Sequence, residues 1–106
     1  MKRKIEYSEK ALADMDEIYD YIADNLKNPL AAQDTLTGIM DQVDRLDLFP
    51  ESGSILELEE GLESGYRYVR YKNYIAFYRL IKKHDIWVDR VLYAKRDYMK
   101  LLFNSI

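Results

Sequence analysis

Three aromatic and β-branched runs in the second half of the chain constrain the fold most, because the connections between them are short. The runs predict strands over residues 66–71, 74–81 and 86–93, with turns at 72–73 and 82–85. A parallel pair of strands needs a crossover of about a dozen residues or more, which these gaps cannot hold. The sequence therefore predicts an antiparallel meander of three strands.

Two amphipathic helices are predicted upstream, after a short alternating strand at residues 4–7. Ser8 is suited to cap the first helix, and Asn28-Pro29 is suited to start the second, which runs to about Leu48. A short connection makes the two helices an antiparallel hairpin. In the first helix the predicted apolar set is Leu12, Met15, Ile18 or Tyr19, Ile22 and Leu26, and the predicted solvated acidic side is Asp14, Glu17, Asp20 and Asp24.

The predicted fold class is α+β, in one domain over residues 1–106. Its order is an N-terminal strand, the helical hairpin, a loop from about residue 49 to 64, the three-stranded meander, and a short C-terminal helix or tail. Both faces of the last two strands carry large apolar side chains, so both faces need cover. We expect the hairpin to cover one face and the segment after Asp97 to cover the other.

Composition excludes several classes of protein. The chain has no cysteine, which excludes disulfides and thiolate metal sites. It lacks the apolar core of a signal peptide and any run near the roughly 18 apolar residues of a membrane span, so we expect a cytoplasmic protein. There is no glycine-rich phosphate loop, and the acidic groups lack histidine or cysteine neighbours, so we expect no cofactor and no metal.

Charge divides the chain into two parts. Residues 9–64 hold 3 Lys or Arg against 15 Asp or Glu, whereas residues 65–106 hold 10 against 3. Seven of the 10 tyrosines lie in that basic part. A basic, aromatic sheet is suited to bind phosphates and bases, or to dock an acidic protein. The alternative is a simple alternation of solvated faces.

Cutting RNA through its own 2′-hydroxyl is one chemistry that such a surface could support. It needs a proton acceptor, positive charge at the phosphate and an acid for the leaving oxygen, but no metal. His84, the one histidine, lies in a predicted turn and is interpreted as a solvated residue. The candidate phosphate ligands are Arg67, Arg79, Lys95 and Arg96, and the candidate stacking or proton-transfer groups are Tyr93 and Tyr98.

The order and spacing of four segments resemble the RelE/ParE superfamily of bacterial toxins over nearly the whole chain. The segments are Phe49-Pro50-Glu51-Ser52-Gly53, Tyr66-Arg67, Asn73-Tyr74-Ile75-Ala76-Phe77-Tyr78-Arg79 and Arg90-Val91-Leu92-Tyr93-Ala94-Lys95-Arg96-Asp97. The resemblance implies the toxin of a type II toxin–antitoxin pair, neutralised by an antitoxin encoded beside it. It implies one of two targets: RelE-like toxins cut mRNA in the ribosomal A site, and ParE-like toxins poison DNA gyrase.

Compared position by position, the resemblance to the nucleases is partial. Arg67 matches a basic position that RelE-like nucleases use, but Val69 is apolar where those chains tend to be basic. Ile75 stands where RelE- and YoeB-like nucleases have an arginine at the scissile phosphate, and Tyr93 stands where YoeB-like members have a histidine. These departures favour the gyrase route, whereas the density of arginine and tyrosine favours the ribosomal one.

Both targets remain open, with a ribosome-dependent mRNA interferase as the first prediction and gyrase poisoning as the alternative. The predicted catalytic residues are Arg67, Tyr93, Lys95 and Arg96, and the predicted target-binding residues are Arg70, Lys72, Arg79, Arg90 and Tyr98. An acidic amphipathic antitoxin is expected on the basic sheet and on the apolar tail residues Leu101, Leu102 and Phe103.

Overall fold

A computed structural model describes residues 3–59, 61–82 and 85–103, in which five strands form one sheet flanked by helices. The strands are β1 (Ile5–Tyr7), β2 (Ser54–Glu59), β3 (Leu62–Tyr71), β4 (Tyr74–Ile81) and β5 (Asp85–Tyr93). The helices are α1 (Glu9–Asp20), α2 (Pro29–Asp44) and α3 (Tyr98–Phe103). The spatial order of the strands is β1-β5-β4-β3-β2, with β1 parallel to β5 and the other neighbours antiparallel. The predicted α+β class is confirmed.

Local capping signals start both long helices where the sequence predicts. The Ser8 hydroxyl accepts a hydrogen bond from the Ala11 amide at 2.9 Å, and the Asn28 side chain accepts one from the Ala31 amide at 3.1 Å. Pro29 occupies the first turn of α2, where its missing N–H costs nothing. After α1 the chain continues through a π-helical turn over Tyr21–Asn25.

Helices α1 and α2 cover one face of the sheet, which we call the inner face. Gly38 of α2 lies so close to Tyr71 of β3 that a Cβ atom there would stand 2.1 Å from the ring. Because glycine has no side chain, the backbone of α2 can pack directly against the Tyr71 ring of β3. The fully buried sheet residues of this core include Tyr78, Ile86, Val88 and Val91.

Helix α3 packs on the opposite, outer face, as predicted for the tail. Asp97 caps it by accepting a hydrogen bond from the Lys100 amide at 3.3 Å. The Tyr98 ring lies 5.2 Å from that of Phe77, which is fully buried. The outer core consists of Leu56, Ile75, Phe77 and Leu92, with Tyr98, Met99, Leu101 and Leu102 packed against it.

The segment predicted as a loop up to residue 64 instead contains β2 and the start of β3, so the meander has four strands. Glu57 and Glu59 disfavour a strand by intrinsic propensity, but pairing with β3 and burial of Leu56 on the outer face override that preference. Gly61, with φ near +80°, lies at the tight connection between the two strands.

The predicted apolar and acidic sides of α1 also need correction. Asp14 is buried rather than solvated, because a basic partner from β5 reaches it. Leu12 and Leu26, predicted in the apolar set, are more than half exposed.

His84 lies outside the described residues. Among the residues that are described, no helix is both long enough and apolar enough to cross a membrane.

Candidate functional site

Four of the predicted cationic residues gather at one end of the sheet, where the β3–β4 turn meets the segment after β5. The Ala94 amide donates to the Asn73 carbonyl at 2.7 Å, which joins the two segments. The Arg70 side chain donates to the Lys72 carbonyl at 2.8 Å, and Lys72 lies 5.5 Å from the Tyr71 ring centroid. We call the resulting exposed group the basic rim; it consists of Arg70, Lys72, Lys95 and Arg96.

A cleft of about 310 Å³ opens beside the basic rim, between α1 and the ends of β4 and β5. Its walls carry three tyrosines, Tyr21, Tyr74 and Tyr93, and we call it the tyrosine cleft. The Tyr74 and Tyr93 rings are 5.7 Å apart and inclined by 57°. Burial raises the pKa of Tyr74, and the nearby Tyr93 and Tyr21 hydroxyls raise it further. The floor of the cleft is apolar and consists of Ile18, Val91 and Leu92.

Charges of opposite sign line the two sides of the tyrosine cleft. Glu17 and Asp14 lie on the side formed by α1, and Arg96 lies on the side formed by the turn after β5. Asp14 is already neutralised within the protein, whereas Glu17 is exposed. In the described part of the chain, the side chains of Lys95 and Arg96 have no ion-pair partner. Arg96 is therefore available to a ligand.

Arg90, predicted to bind the target, is held inside the protein. Its Nε and one terminal nitrogen donate to the two carboxylate oxygens of Asp14, at 2.7 and 2.9 Å, and the same carboxylate accepts from the Val91 amide at 3.0 Å. Strand β1 pairs with β5 only as far as Val88. Beyond Val88, the Asp14 carboxylate accepts the Val91 amide hydrogen bond that a neighbouring strand would otherwise accept. Another Arg90 nitrogen lies 3.4 Å from the Leu101 carbonyl of α3.

Arg79 lies at the other end of the sheet, in a cluster organised by Asp89. The Asp89 carboxylate lies 3.6 Å from Arg79, accepts from the Trp87 indole at 3.0 Å and accepts from the Tyr66 hydroxyl. Arg79 also stacks 5.6 Å from the Tyr66 ring centroid. Burial, together with the Asp89 contact, raises the pKa of Tyr66 to about 12.

Sequence reasoning missed Tyr66, Trp87 and Asp89 as members of this cluster. A β-bulge in β5 opposite the Phe77–Tyr78 step inserts Asp89 as an extra residue, because Phe77 pairs with Arg90 and Tyr78 pairs with Val88. The spacing of acidic and aromatic residues in the sequence carries no signal for such a bulge.

The remaining predicted residues have structural contacts in the protein. Arg67 donates to the carbonyls of Glu51 and Gly53, at 3.0 and 3.1 Å, and so holds the segment after α2. Phe103 contacts Tyr66 edge to face with 5.6 Å between ring centroids. The structure thus brings together Arg70, Lys72, Tyr93, Lys95 and Arg96, but it places Arg67, Arg79, Arg90 and Tyr98 elsewhere.

Comparison with known proteins supports the resemblance found in the sequence. The family model "ParE toxin of type II toxin-antitoxin system, parDE" matches residues 5–98. No curated protein matches the chain. A chain from the structure of the chromosomal ParDE toxin–antitoxin system of P. aeruginosa is 25% identical, with a TM-score of 0.70 over 89% of this chain and 98% of that one.

A second solved structure shows the same fold at lower identity. It is a chain of the toxin–antitoxin complex RelBE2 of Mycobacterium tuberculosis, 16% identical, with a TM-score of 0.54 over 88% of this chain and 99% of that one. The family match, which spans most of the chain, and the shared fold together establish the identity. The chain is therefore a toxin of type II toxin–antitoxin systems and belongs to the ParE toxin family within the RelE/ParE superfamily.

Proposed function

We propose that this toxin arrests growth in the bacterial cytoplasm by binding DNA gyrase and holding it inactive, without chemistry of its own. One observation carries the proposal: the four cations expected around a scissile phosphate are divided, with Lys95 and Arg96 on the basic rim and Arg67 and Arg79 elsewhere on the sheet. Arg67 donates to two backbone carbonyls, and Arg90 is paired with buried Asp14. A guanidinium that is already paired with a buried carboxylate gains little from a phosphate in the transition state, and one that is held by backbone carbonyls is less free to reach it.

The two apolar departures from the nuclease pattern support the same proposal. Val69 packs in the inner core and Ile75 is buried in the outer core. In this chain, therefore, neither position presents a charged side chain to a substrate. Because an enzyme that stabilises a pentavalent phosphate depends on preorganised positive charge, these positions favour target binding over cleavage.

A ribosome-dependent mRNA interferase is the second candidate, and one observation favours it. Tyr93 and Arg96, both predicted as catalytic, line the tyrosine cleft, and Lys95 is adjacent in the chain. Arg96 could stabilise a phosphate and a tyrosine hydroxyl could protonate the leaving oxygen. The proton acceptor is the weak point of this candidate: Tyr74 has a raised pKa and stays protonated near neutrality, and the Glu17 carboxylate lies on the side of the cleft opposite Arg96.

Two assays on the purified toxin distinguish gyrase inhibition from mRNA cleavage. We expect it to inhibit supercoiling by gyrase and to leave mRNA intact on translating ribosomes. The variant Arg96→Ala, which removes an unpaired cation of the basic rim, should weaken inhibition, whereas Arg45→Ala, an exposed cation outside the rim, should not. Cleaved mRNA with unaffected gyrase would overturn the proposal and establish the interferase.

A further inference from the structure

The tyrosine cleft carries polar groups that the described part of the protein leaves without partners. The hydroxyls of Tyr21, Tyr74 and Tyr93 have no hydrogen-bond partner among the described residues, and they are not closed off from the surface. Tyr21, at the start of the π-helical turn, is 52% exposed. A π-helical turn distorts the regular helix, and such turns often occur at functional sites.

The volume and lining of the cleft fit one large side chain. The space of about 310 Å³ lies over the apolar floor and between aromatic walls. A pocket of this kind binds an aromatic or branched aliphatic residue by removing its surface from water, while phenol hydroxyls at the mouth satisfy polar groups beside it. Single residues of this type often dominate the affinity of a protein–protein interface.

The charges on the two sides of the cleft specify what must flank that side chain. On one side lies Arg96 with Lys95, and on the other lies Glu17 with exposed Asp20 one turn of helix away. A peptide with an acidic residue before or after the anchor, and a basic residue on its other side, would pair with both. Complementary charges of this kind select a partner and its orientation more than they add affinity.

From this geometry we propose that the tyrosine cleft is the anchor site for a segment of the antitoxin. In this complex an aromatic or aliphatic antitoxin side chain enters the cleft, an antitoxin carboxylate pairs with Arg96, and an antitoxin cation pairs with Glu17. The inference rests on the proposed function only in that the toxin has an antitoxin; it does not depend on gyrase being the target.

Single-stranded RNA fits this site less well than a peptide does. A base could stack on the tyrosines, and phosphates could bind the basic rim. The phosphate chain, however, is negative along its whole length. Glu17 lines the cleft, and the same helical segment carries exposed Asp20 and Asp24 further along. A polyanion meets repulsion on that side, whereas a peptide with charges of both signs does not.

The test measures binding of purified toxin variants to the antitoxin encoded by the neighbouring gene, by calorimetry. Tyr21→Ser removes one wall of the cleft and should weaken binding by about 30-fold, the typical loss for an interface anchor. The matched control is Tyr19→Ser, which changes another exposed tyrosine of the same helical segment that does not line the cleft and should change affinity less than about twofold.

Charge reversals test the site without disturbing the core, because both residues are exposed. Arg96→Glu and Glu17→Lys should each weaken antitoxin binding by about fivefold or more, and both variants should retain the circular dichroism spectrum and thermal unfolding of the parent protein. Equal affinity for the antitoxin in Tyr21→Ser, Arg96→Glu and the parent toxin would overturn the proposal.

A short single-stranded RNA titrated into the same variants tests the other occupant. Binding of this RNA that is lost in Tyr21→Ser and Arg96→Glu, while antitoxin binding is unchanged, would assign the cleft to nucleic acid and overturn the proposal. Because these readouts are affinities and not growth arrest, they remain informative if the toxin proves to cleave mRNA rather than to bind gyrase.

Discussion

Arg90 and Asp14 join the edge of the sheet to the first helix through two parallel hydrogen bonds of 2.7 and 2.9 Å. The side chains are 16% and 7% exposed, so the pair is shielded from water. The hydrogen bonds to Asp14 raise the pKa of Arg90, which therefore stays charged. Removing one partner of such a buried ion pair strongly lowers the free energy of unfolding, because the remaining charge is left without a partner.

Asp14→Asn should therefore lower the free energy of unfolding by about 3 kcal/mol, because it leaves the Arg90 charge without its carboxylate. Asp16→Asn, at an exposed position of the same helix, should change it by less than about 0.5 kcal/mol. Urea denaturation of the three proteins measures both differences. Equal stability of Asp14→Asn and Asp16→Asn would show that the pair contributes nothing to the fold.

Stability should fall as pH rises from about 10 to about 12. Burial raises the pKa of Tyr7 to about 12, and burial with the Asp89 hydrogen bond does the same for Tyr66. In the unfolded chain both lose a proton near pH 10, so the folded state binds more protons in this window. The stabilising contribution is complete below about pH 10 and is lost as pH rises through the folded pKa.

Phenylalanine substitutions distinguish the contributions of Tyr7 and Tyr66 to stability. Tyr66→Phe and Tyr7→Phe should each reduce the slope of unfolding free energy against pH above about pH 10. At neutral pH Tyr66→Phe should destabilise the protein by about 1 kcal/mol through the lost Asp89 hydrogen bond, whereas Tyr7→Phe should not, because its buried hydroxyl has no partner in the described residues. An unchanged slope in both variants would contradict the assignment.

Tyr78 should prove essential for anchoring the segment after α2 to the sheet. Its hydroxyl donates to the Pro50 carbonyl at 2.8 Å and accepts from the Gly53 amide at 3.1 Å, both in buried surroundings. Tyr78→Phe leaves two backbone groups unpaired and should cost about 1–3 kcal/mol by chemical denaturation. Tyr98→Phe is the control, since the Tyr98 hydroxyl has no hydrogen-bond partner in the part of the chain that the structure describes. A loss of the same size in both variants would argue against this role.

Gly38→Ala should have opposite effects in two backgrounds. In the parent protein the new methyl group would stand 2.1 Å from the Tyr71 ring, and overpacking should cost about 1–3 kcal/mol. In Tyr71→Ala the obstacle is gone, and the same substitution should stabilise α2 by about 0.5–1 kcal/mol. Thermal unfolding of the four proteins measures the cycle. A destabilising effect of equal size in both backgrounds would mean that the glycine is required for another reason.

The sequence predicts those parts of the fold that depend on local signals. Helix starts at Ser8 and Asn28 follow from side chains that bond to amides three residues away. The short turn at 72–73 likewise determines the pairing of β3 with β4. Strand β2 escaped prediction because its glutamates disfavour a strand, and only its pairing with β3 and the burial of Leu56 compensate.

The candidate site was predictable only where its residues are close in sequence. Lys95 and Arg96 come two and three positions after Tyr93, and all three remain together at one end of the sheet. Asp14 and Arg90 are 76 positions apart, so helical periodicity placed Asp14 on the solvated side. No local pattern reports that a carboxylate in the first helix will meet a guanidinium in the last strand.

The sheet edge formed by strand β2 disfavours strand pairing between two copies of this protein. Strand β2 forms that edge, and its pairing with β3 shifts register twice, between Ile55 and Glu57 and again between Glu57 and Glu59. Irregular, negatively charged borders are poor templates for another extended chain, because like charges meet and the amide spacing does not match. We therefore expect free toxin molecules at high local concentration not to form fibrils by pairing along strand β2.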